Sequence, residues 1–256
     1  MSRMKILITG ASSGIGQATA LALVQKGHQV LIAARRQEKL REIAAESAVV
    51  VGEFIVAELD VRRPESIQAF VNTHREWLKD VDVLINNAGL AVGRESLEQL
   101  DSQELRDMVD TNVLGLLEMN RCILPFMLKR GSGHVINMGS IAAHTPYKGG
   151  TVYCATKAAV HSITECLRLD LAGSGIRVST IAPGRVAETE FSLVRFKGDE
   201  AAANKVYEGY RVVTATDIAE TVAWVIERPA HVNIQEIVIM PTDQPNATTV
   251  VPLSKR

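Results

Sequence analysis

Short apolar runs recur along the chain, and longer segments with helical periodicity separate them. The runs are rich in β-branched residues and lack strict alternation of apolar and polar positions: KILIT, HQVLIA, FIVAEL, VDVLIN, HVINMG, IRVSTIA and QEIVIM. A lack of alternation is typical of parallel strands that are buried on both faces of a sheet. The pattern therefore predicts one parallel sheet in which each run forms a strand.

Apolar positions with a helical period fill the segments between these runs. The predicted helices lie near 14–26, 37–46, 65–78, 102–130, 152–173 and 216–227. Strands that alternate with helices form a doubly wound sheet with right-handed crossovers and helices on both faces. No linker or repeat divides the 256 residues, so we predict a single α/β domain over 1–256 with a seven-stranded sheet. The segment 184–214 has a helical pattern and no predicted strand, which indicates an insertion above the sheet.

Charge and hydropathy exclude several classes of partner. The chain carries 28 basic and 29 acidic residues, a net charge of −1, which favours neither a nucleic acid nor an anionic membrane as a partner. No apolar stretch approaches the roughly twenty residues that a membrane helix needs, and the first apolar run is too short for the core of a signal peptide. We therefore expect a cytoplasmic protein that binds neither nucleic acid nor membrane.

The positions of cysteine and histidine argue against disulfides and metal sites. The three cysteines, Cys122, Cys154 and Cys166, form no CxxC motif and leave one unpaired in any disulfide scheme, so we expect reduced and buried thiols. The six histidines lack the short spacings of common metal motifs. The sequence therefore predicts no metal site.

A glycine-rich turn follows the first predicted strand. In ILITGASSGIG, Gly10, Gly14 and Gly16 stand between that strand and the helical run from Gln17. Glycines at such a turn permit close backbone approach to a phosphate and close packing of helix on strand. The helix N-terminus offers free N–H groups and the positive end of its dipole to a pyrophosphate. The turn therefore predicts a dinucleotide site.

The end of the second predicted strand indicates which dinucleotide binds. NAD sites carry an acidic residue about twenty positions after the glycines, where it binds the adenosine ribose. This chain has Ala34 near that place, followed by Arg35 and Arg36. A 2′-phosphate would meet no carboxylate there and two guanidinium groups that can bind it bidentately. The sequence therefore favours NADP(H).

Tyr153 and Lys157 lie one helical turn apart in TVYCATKAAV, where a helix is predicted. Helical geometry places both side chains on one face, roughly 6 Å apart along the axis. A free phenol with a pKa of about 10 is a poor base at neutral pH, and an ammonium about 4 Å away supplies the roughly 4 kcal/mol that would bring this pKa to about 7. The spacing therefore predicts a lysine that lowers the pKa of a catalytic tyrosine.

Together these features resemble the short-chain dehydrogenase/reductase family along almost the whole chain. The matching motifs are Thr9-Gly10-Ala11-Ser12-Ser13-Gly14-Ile15-Gly16, Asp60-Val61, Asn86-Asn87-Ala88-Gly89, Asn112, Ser140, Tyr153 with Lys157, and Pro183-Gly184. The resemblance implies a Rossmann fold, a nicotinamide cofactor, an enzyme that acts on a CH–OH group, and assembly into a homotetramer.

The resemblance also assigns roles to the matching residues. Tyr153 would be the acid/base, and Ser140 would hydrogen-bond the substrate oxygen. Lys157 would also bind the nicotinamide ribose, and Asn112 would hold a water that links it to solvent. Asp60 would meet the adenine, and Asn87 the adenosine side. The predicted cofactor contacts are Gly10, Ala11, Ser12, Ser13, Gly14, Ile15, Gly16, Arg35, Arg36, Asp60, Val61, Asn87, Ala88, Gly89, Tyr153, Lys157, Pro183, Gly184, Val186 and Thr189.

Within the family, three stretches are similar to NADP-dependent 3-hydroxy acid dehydrogenases that act on serine and allo-threonine: EFSLVRFKGD, PAHVNI and IMPTDQ. In the first of these, Arg195 would bind a substrate carboxylate, which implies a small anionic substrate. Arg185 and the pair Tyr210-Arg211 depart from the pattern of that subgroup and add hydrogen-bond donors. Sulfoacetaldehyde reductase is therefore an alternative, because a sulfonate has three acceptor oxygens. Another small-aldehyde, ketone or 3-oxoacyl reductase and a non-catalytic dinucleotide-binding protein are less favoured.

The loop before the predicted tyrosine helix offers two further candidates. His144 and Tyr147 are candidates for lining the substrate pocket, because binding residues often lie on loops. His161 lies one turn beyond the lysine and is expected to pack or to face solvent.

Overall fold

The predicted runs form one parallel sheet. The structure, a computed structural model, describes residues 3–46 and 51–255. Its strands are β1 (Lys5–Thr9), β2 (Gln29–Ala34), β3 (Glu53–Glu58), β4 (Val83–Asn86), β5 (Gly133–Met138), β6 (Ile176–Pro183), β7 (Val186–Ala187), β8 (Val213–Thr214) and β9 (Glu236–Ile239). Apart from β7 and β8 they form a seven-stranded sheet in the order β3-β2-β1-β4-β5-β6-β9, with every neighbouring pair parallel. The prediction of a doubly wound sheet is confirmed.

Helices cover both faces of this sheet. They are α1 (Gly14–Gln25), α2 (Gln37–Glu46), α3 (Pro64–Thr73), α4 (Arg75–Leu78), α5 (Ser102–Val109), α6 (Gly115–Arg130), α7 (Thr151–Asp170), α8 (Phe191–Arg195), α9 (Glu200–Lys205) and α10 (Ala215–Ile226). Helices α1 and α10 pack together on one face, and α3 packs against α6 on the other. Among the described residues, no helix combines the length and apolarity that crossing a membrane requires.

Two apolar layers hold the helices to the sheet. In β1, Ile6 and Ile8 pack in the layer under α1 and α10, whereas Leu7 packs in the layer under α3 and α6. All three side chains are fully buried. Because successive strand residues point to opposite faces, a strand covered on both sides needs apolar residues at every position. This explains why the strand sequences lack alternation.

Two predicted helices are interrupted. The helix predicted over 65–78 is divided at His74 into α3 and α4. The helix predicted over 102–130 contains a π-helical turn, Asp110–Leu114, between α5 and α6. Such a turn inserts one residue into an otherwise helical run, and apolar periodicity does not reveal so small an insertion. The turn carries Asn112, one of the predicted site residues.

The segment 184–214 contains two short strands, which corrects the prediction that it has none. Strands β7 and β8 pair in parallel, with Val186 beside Val213 and Ala187 beside Thr214. Two-residue strands are shorter than the roughly four to eight residues that a periodicity pattern needs. Helices α8 and α9 lie between the two strands along the chain, as the helical pattern of this segment predicted.

The three cysteines are free, but only one of them is buried. Cys154 is buried, Cys122 is partly buried and Cys166 is exposed. The expectation of buried thiols is therefore wrong for Cys166, which lies on the solvent-facing side of α7.

Candidate active site

The carboxyl ends of the strands open onto one long cavity of about 940 Å³. In an open α/β sheet ligands bind at this edge, where the strand order reverses. The cavity brings together most of the predicted site residues: Gly10, Ser12, Ser13, Gly14, Ile15, Arg35, Arg36, Asp60, Val61, Asn87, Ala88, Gly89, Ser140, Tyr153, Lys157, Pro183, Gly184, Val186, Thr189 and Arg195. Three predicted residues, Ala11, Gly16 and Asn112, are not part of its lining within the described chain.

The glycine-rich turn forms the wall at one end of the cavity. Gly10 has a φ of +66° and Gly14 a φ of +56°, which glycine adopts far more readily than residues with a side chain. A Cβ on Gly10 would lie 2.7 Å from the Cα of Ala88, and a Cβ on Gly16 would lie 2.4 Å from the Nδ2 of Asn87. Gly16 therefore permits close packing behind the wall, and Ala11, which is fully buried, lies there too. These two residues shape the turn and do not face the cavity.

Asn87 holds the glycine turn in place. Its Nδ2 donates to the carbonyl oxygens of Thr9 and Gly10, each at 3.0 Å. The Oγ1 of Thr9 in turn accepts from the backbone N–H groups of Asn87 and Ala88, each at 3.1 Å. These bonds join the end of β1 to the end of β4 across the point where the strand order reverses. The predicted contact of Asn87 with a cofactor remains a prediction.

The start of α1 presents unpaired N–H groups to the same wall. Ser13 is the N-cap of this helix, and its side chain makes no capping hydrogen bond to the first turn. The first N–H groups of a helix lack intrahelical partners and carry the positive end of the helix dipole. An anion placed beside Ser13 and Gly14 would therefore be stabilised.

An ion-pair cluster occupies the outer end of the cavity. The Arg36 guanidinium donates to the Oγ atoms of Ser12 and Ser13 and lies 2.7 Å from a carboxylate oxygen of Glu190. The Nζ of Lys39 lies 3.0 Å from the other oxygen of Glu190. The hydrogen bond from Arg36, assisted by Lys39, lowers the pKa of Glu190 to about 2. Glu190 was not predicted as a site residue.

Asp60 lines the cavity with its carboxylate already paired. Its two oxygens accept from the Nε and Nη2 of Arg62 at 3.0 and 2.8 Å, and the hydrogen bonds to Arg62 lower the pKa of Asp60. This pairing fixes the carboxylate at the edge of the predicted adenine site. The contact with adenine stays a prediction.

Tyr153 and Ser140 meet at the inner end of the cavity. Ser140 follows β5, where its Oγ accepts from the N–H of Ala142 at 3.1 Å, and its side chain is near enough to Tyr153 to act on the pKa of the phenol. The Tyr153 ring packs against that of Phe191, with the ring centroids 5.6 Å apart. Burial raises the pKa of Tyr153, and the smaller opposing effects of Ser140 and Arg195 do not offset it. The phenol therefore keeps its proton at neutral pH.

Lys157 lies beneath Tyr153 with its ammonium bound to the end of β5. Its Nζ donates to the carbonyl oxygen of Met138 at 2.7 Å and lies 5.9 Å from the centroid of the Tyr153 ring. Burial lowers the pKa of Lys157 to about 8. The predicted lowering of the tyrosine pKa by Lys157 is not found: burial is the largest influence on this pKa, and the groups that lower it are Ser140 and Arg195.

Asn112 fastens the π-helical turn to its surroundings. Its Oδ1 accepts from the N–H of Leu90 at 2.9 Å, and its Nδ2 donates to the Leu90 carbonyl and to the Oγ1 of Thr156. The buried side chain thus joins the segment after β4 to helix α7. The water that Asn112 is predicted to hold remains a prediction.

Arg195 projects toward Tyr153 from the segment 184–214. Its Nη1 donates to the Tyr147 hydroxyl at 2.7 Å, and its Cζ lies 5.7 Å from the centroid of the Tyr153 ring. Its Nε is buried and finds no hydrogen-bond partner among the described residues. Burial of an unpaired donor is costly, so this nitrogen favours an acceptor from a ligand.

The other cationic candidates separate into two groups. Arg185 lines the cavity and donates to the carbonyl of Val206 at 3.3 Å. Arg211 is not part of the cavity lining in the described chain and is ion-paired with Asp243, so the structure does not bring it to the site. Of the two loop candidates, Tyr147 lines the cavity and His144 lies outside its lining.

Comparison with protein families matches residues 4–200 to the short chain dehydrogenase family. The chain belongs to this family. The match spans the glycine turn, the Ser140 segment and the helix with Tyr153 and Lys157.

Several proteins are similar to this short-chain dehydrogenase along most of their length. The NADP-dependent 3-hydroxy acid dehydrogenase YdfG of Salmonella typhi is 45% identical over 242 residues, which cover 94% of this chain and 96% of the relative. The serine 3-dehydrogenase of Agrobacterium fabrum is 42% identical over 239 residues, covering 93% and 94%. A closed form of serine dehydrogenase complexed with NADP+ superposes with a TM-score of 0.91 at 43% identity, covering 97% of this chain and 99% of that one.

Sequence reasoning missed several residues that line the site of this short-chain dehydrogenase, among them Arg94, Glu190 and Phe191. The Arg94 guanidinium lies 5.9 Å from the Phe196 ring centroid, and burial, followed by the charge of Arg195, lowers its pKa. Arg94 follows the Asn86–Gly89 motif by a few positions, which was a usable signal. Glu190 and Phe191 begin the stretch EFSLVRFKGD, but no role was predicted for them, and the fold of the segment 184–214 brings them to the cavity.

Proposed function

We propose that this enzyme interconverts a small 3-hydroxy acid, of the serine, allo-threonine or 3-hydroxypropionate type, and its 3-oxo form with NADP(H). The observation that carries the proposal is the Arg195 guanidinium 5.7 Å from the centroid of the Tyr153 ring, in the cavity that Ser140 also lines. A cation at this distance from the acid/base pair suits a substrate whose anionic group is a few bonds from its reacting carbon. The names of the relatives support the same reaction class.

The residues around the cavity fit NADP(H). The glycine turn and the uncapped start of α1 would hold the pyrophosphate, because they offer close backbone approach and free N–H groups. Arg35 and Arg36 would hold the 2′-phosphate, since both line the cavity beyond β2. The relatives named above as NADP-dependent, and the structure complexed with NADP+, support this choice over NAD.

The side chains at the inner end would carry out the proton chemistry. Bound NADPH supplies the hydride that reduces the carbonyl carbon. Tyr153 would donate its hydroxyl proton to the carbonyl oxygen, a role that suits a phenol still protonated at neutral pH. Ser140 would fix the distance of that oxygen from Tyr153, and Lys157 would bind the nicotinamide ribose. In the oxidative direction Tyr153 would first have to lose its proton, so that the phenolate could accept one from the substrate hydroxyl, and a raised pKa makes that loss harder.

The segment 184–214 would act as a lid over the substrate. It contributes Arg195 and Phe191 to the cavity, and it carries two non-glycine residues with positive φ, Glu188 and Lys197. Closure would exclude water and strengthen the pairing of Arg195 with an anion.

The resemblance to the family also supports cytoplasmic location and a homotetramer. Exposed apolar side chains on α6, α7, α10 and β9 would provide its interfaces: Leu117, Leu169, Trp224 and Val238.

The experiment that tests the proposal is a substrate panel under matched conditions. NADPH oxidation is measured with malonic semialdehyde, sulfoacetaldehyde and a neutral aldehyde of similar size, and NADP+ reduction with serine, allo-threonine and 3-hydroxypropionate. The proposal expects the largest kcat/KM with a 3-oxo or 3-hydroxy carboxylic acid. A preference for sulfoacetaldehyde would favour the sulfonate alternative, for which Arg94, Arg185 and Arg195 all line the cavity. A preference for the neutral aldehyde would reject an anion-selective enzyme.

A further inference from the structure

Two histidines and a glutamate that are far apart in the sequence meet outside the catalytic cavity. His144 follows the 3₁₀ turn Ile141–Ala143, His161 lies on α7, and Glu236 begins β9 at the edge of the sheet. Their ligand atoms all lie within 4.8 Å of one another. Within the described residues this is the one group of three such side chains that stand close enough to share a metal ion.

The distances between these atoms are close to those of a metal's coordination sphere. The Nε2 of His144 lies 2.9 Å from the Oε1 of Glu236, and the Nδ1 of His161 lies 3.4 Å from the same oxygen. Tetrahedral ligands with metal bonds of about 2.0–2.1 Å stand roughly 3.3 Å apart. The two imidazole rings meet edge to face, with centroids 5.0 Å apart, so that nitrogens of both rings face the carboxylate. Small side-chain movements would complete the coordination.

The Nδ1 of His161 is the observation that points to a ligand. This nitrogen is buried and makes no hydrogen bond among the described residues, although it lies 3.4 Å from the Oε1 of Glu236. On the other side of the ring, the Nε2 lies 3.7 Å from a carboxylate oxygen of Glu165. A metal-binding imidazole commonly has a carboxylate beside its second nitrogen, which orients the ring and fixes its tautomer. The hydrogen bond between His144 and Glu236 accounts for two members of the cluster, whereas the His161 Nδ1 is near the same carboxylate without a hydrogen bond to it.

We propose that His144, His161 and Glu236 form a binding site for one divalent transition-metal ion, with Zn²⁺ as the ion that suits them best. Two imidazole nitrogens and one carboxylate oxygen are borderline ligands that suit zinc, cobalt and nickel, whereas Mg²⁺ and Ca²⁺ prefer oxygen ligands throughout. A water molecule completes a fourth position, since the side chains are about one quarter to one third exposed.

The ion would strengthen the connection between three parts of the fold that already meet through the contacts of Glu236 with the two histidines. His144 lies just beyond the turn that Ser140 caps, and His161 lies on the same helix as Tyr153. A metal bound to both would tie the Ser140 segment to α7 and to the edge strand β9. Binding would therefore stabilise the folded state, because a preformed site of this kind does not exist in the unfolded chain.

The test uses the full chain without a polyhistidine tag, treated with a chelator and then dialysed. Titration with Co²⁺ is followed by the visible d–d absorption of the ion and by calorimetry, and Zn²⁺ is added to displace it. We expect one Co²⁺ per chain, displacement by Zn²⁺, and a rise in Tm with Zn²⁺. The X-ray absorption spectrum of the zinc-loaded wild-type protein should show scattering from two imidazoles, a readout that needs no variant.

Substitutions then locate the site. His144→Gln, His161→Gln and Glu236→Gln should each weaken Co²⁺ binding by at least about tenfold. His231→Gln, at an exposed histidine that is not a member of the cluster, should leave it unchanged. Circular dichroism verifies that each variant is folded. The proposal is overturned if the wild-type protein shows no saturable binding, if its absorption spectrum lacks imidazole scattering, or if folded variants of the cluster bind as the His231 variant does.

Discussion

The two ends of the cavity differ in how far their polar and charged side chains are exposed to solvent. At the inner end, Tyr153, Ser140 and Lys157 are all less than 10% exposed, and burial is the main influence on the pKa values of the phenol and the ammonium. At the outer end, the Arg36 and Glu190 side chains are 43% and 36% exposed, and they form an ion pair with each other at the solvent-exposed surface. Charge interactions are several times stronger where water is excluded. Substitutions should therefore have large effects at the inner end and graded effects at the outer one.

The largest effect is expected for Tyr153→Phe. Loss of the hydroxyl removes the proton donor, so kcat should fall by about 10²–10⁴-fold, the usual contribution of general acid catalysis. Cofactor affinity, measured by fluorescence titration, should be nearly unchanged. Tyr147→Phe is the matched control, because Tyr147 lines the same cavity and its hydroxyl bonds to Arg195, not to Ser140. Near-normal turnover of the Tyr153 variant would mean that another group donates the proton.

At the outer end, the Arg35→Ala, Arg36→Ala double variant should lose the preference for NADPH. Charge-assisted hydrogen bonds to a phosphate contribute about 1.5–3 kcal/mol, so kcat/KM with NADPH should fall roughly ten- to a hundred-fold. The value with NADH, which has no 2′-phosphate, should barely change. Wild-type enzyme that used NADH and NADPH equally well would contradict the assignment.

Between the two ends, Arg195→Ala tests how the substrate is selected. A charge-assisted bond made in both the ground and the transition state should appear first in KM, which we expect to rise about tenfold or more for the anionic substrate. Activity with a neutral aldehyde of the same size should change little.

Arg211→Ala is the matched control for this substitution, since Arg211 is not part of the cavity lining in the described chain. Equal losses with the anionic and the neutral substrate would show that Arg195 shapes the lid without reading charge. If the guanidiniums of Arg94 and Arg195 both face the anion, combining Arg94→Glu with Arg195→Ala should raise KM for the anionic substrate further.

Lys157 should give the inner end a distinctive dependence of stability on pH. Its pKa is about 8 in the folded protein and near 10.5 in an unfolded chain, so between these values the unfolded state binds more protons. The contribution of Lys157 to the free energy of unfolding should therefore rise with pH, by up to about 1.4 kcal/mol per pH unit. The measurement is the difference in denaturant stability between wild type and Lys157→Met from pH 7 to pH 9. A constant difference across that window would contradict a lowered pKa.

The features of the fold and the site that could be predicted from the sequence are those that depend on neighbouring residues. The doubly wound parallel sheet and the motifs at the strand ends are recognised from patterns within a few residues. Such patterns follow from the short-range geometry of helices and strands. Gly10, Gly14, Tyr153 and Lys157 could be assigned in this way, whereas Ser140 was assigned by resemblance to the family. All five line the cavity.

What the sequence did not reveal depends on contacts between distant segments. Glu190, in the second half of the chain, pairs with Arg36 in the first half, and His144, His161 and Glu236 meet only in the fold. The direction of the Tyr153 pKa also failed, because spacing along a helix gives the distance to a cation and says nothing about burial. Local spacing therefore predicts well which residues line the site and predicts poorly the direction of their pKa shifts.

The smallest effect is expected for Glu190→Gln at the outer end. The Glu190 carboxylate lies 2.7 Å from Arg36 and 3.0 Å from Lys39, so it competes with a 2′-phosphate for the same cations. Because exposed ion pairs contribute only about 0–1 kcal/mol, its removal should lower KM for NADPH by at most about fivefold and leave KM for NADH unchanged.

The matched control for that change is Glu188→Gln, which removes an exposed carboxylate two positions earlier in the same segment. Competition for Arg36 requires that only the Glu190 variant respond and that NADPH binding become tighter. If KM for NADPH rose instead, Glu190 would be holding Arg36 in its binding position. If both variants responded alike, the effect would come from the net charge of the segment. Only the first of these results would make the outer end resemble the inner one, where the placement of a charge matters more than its number.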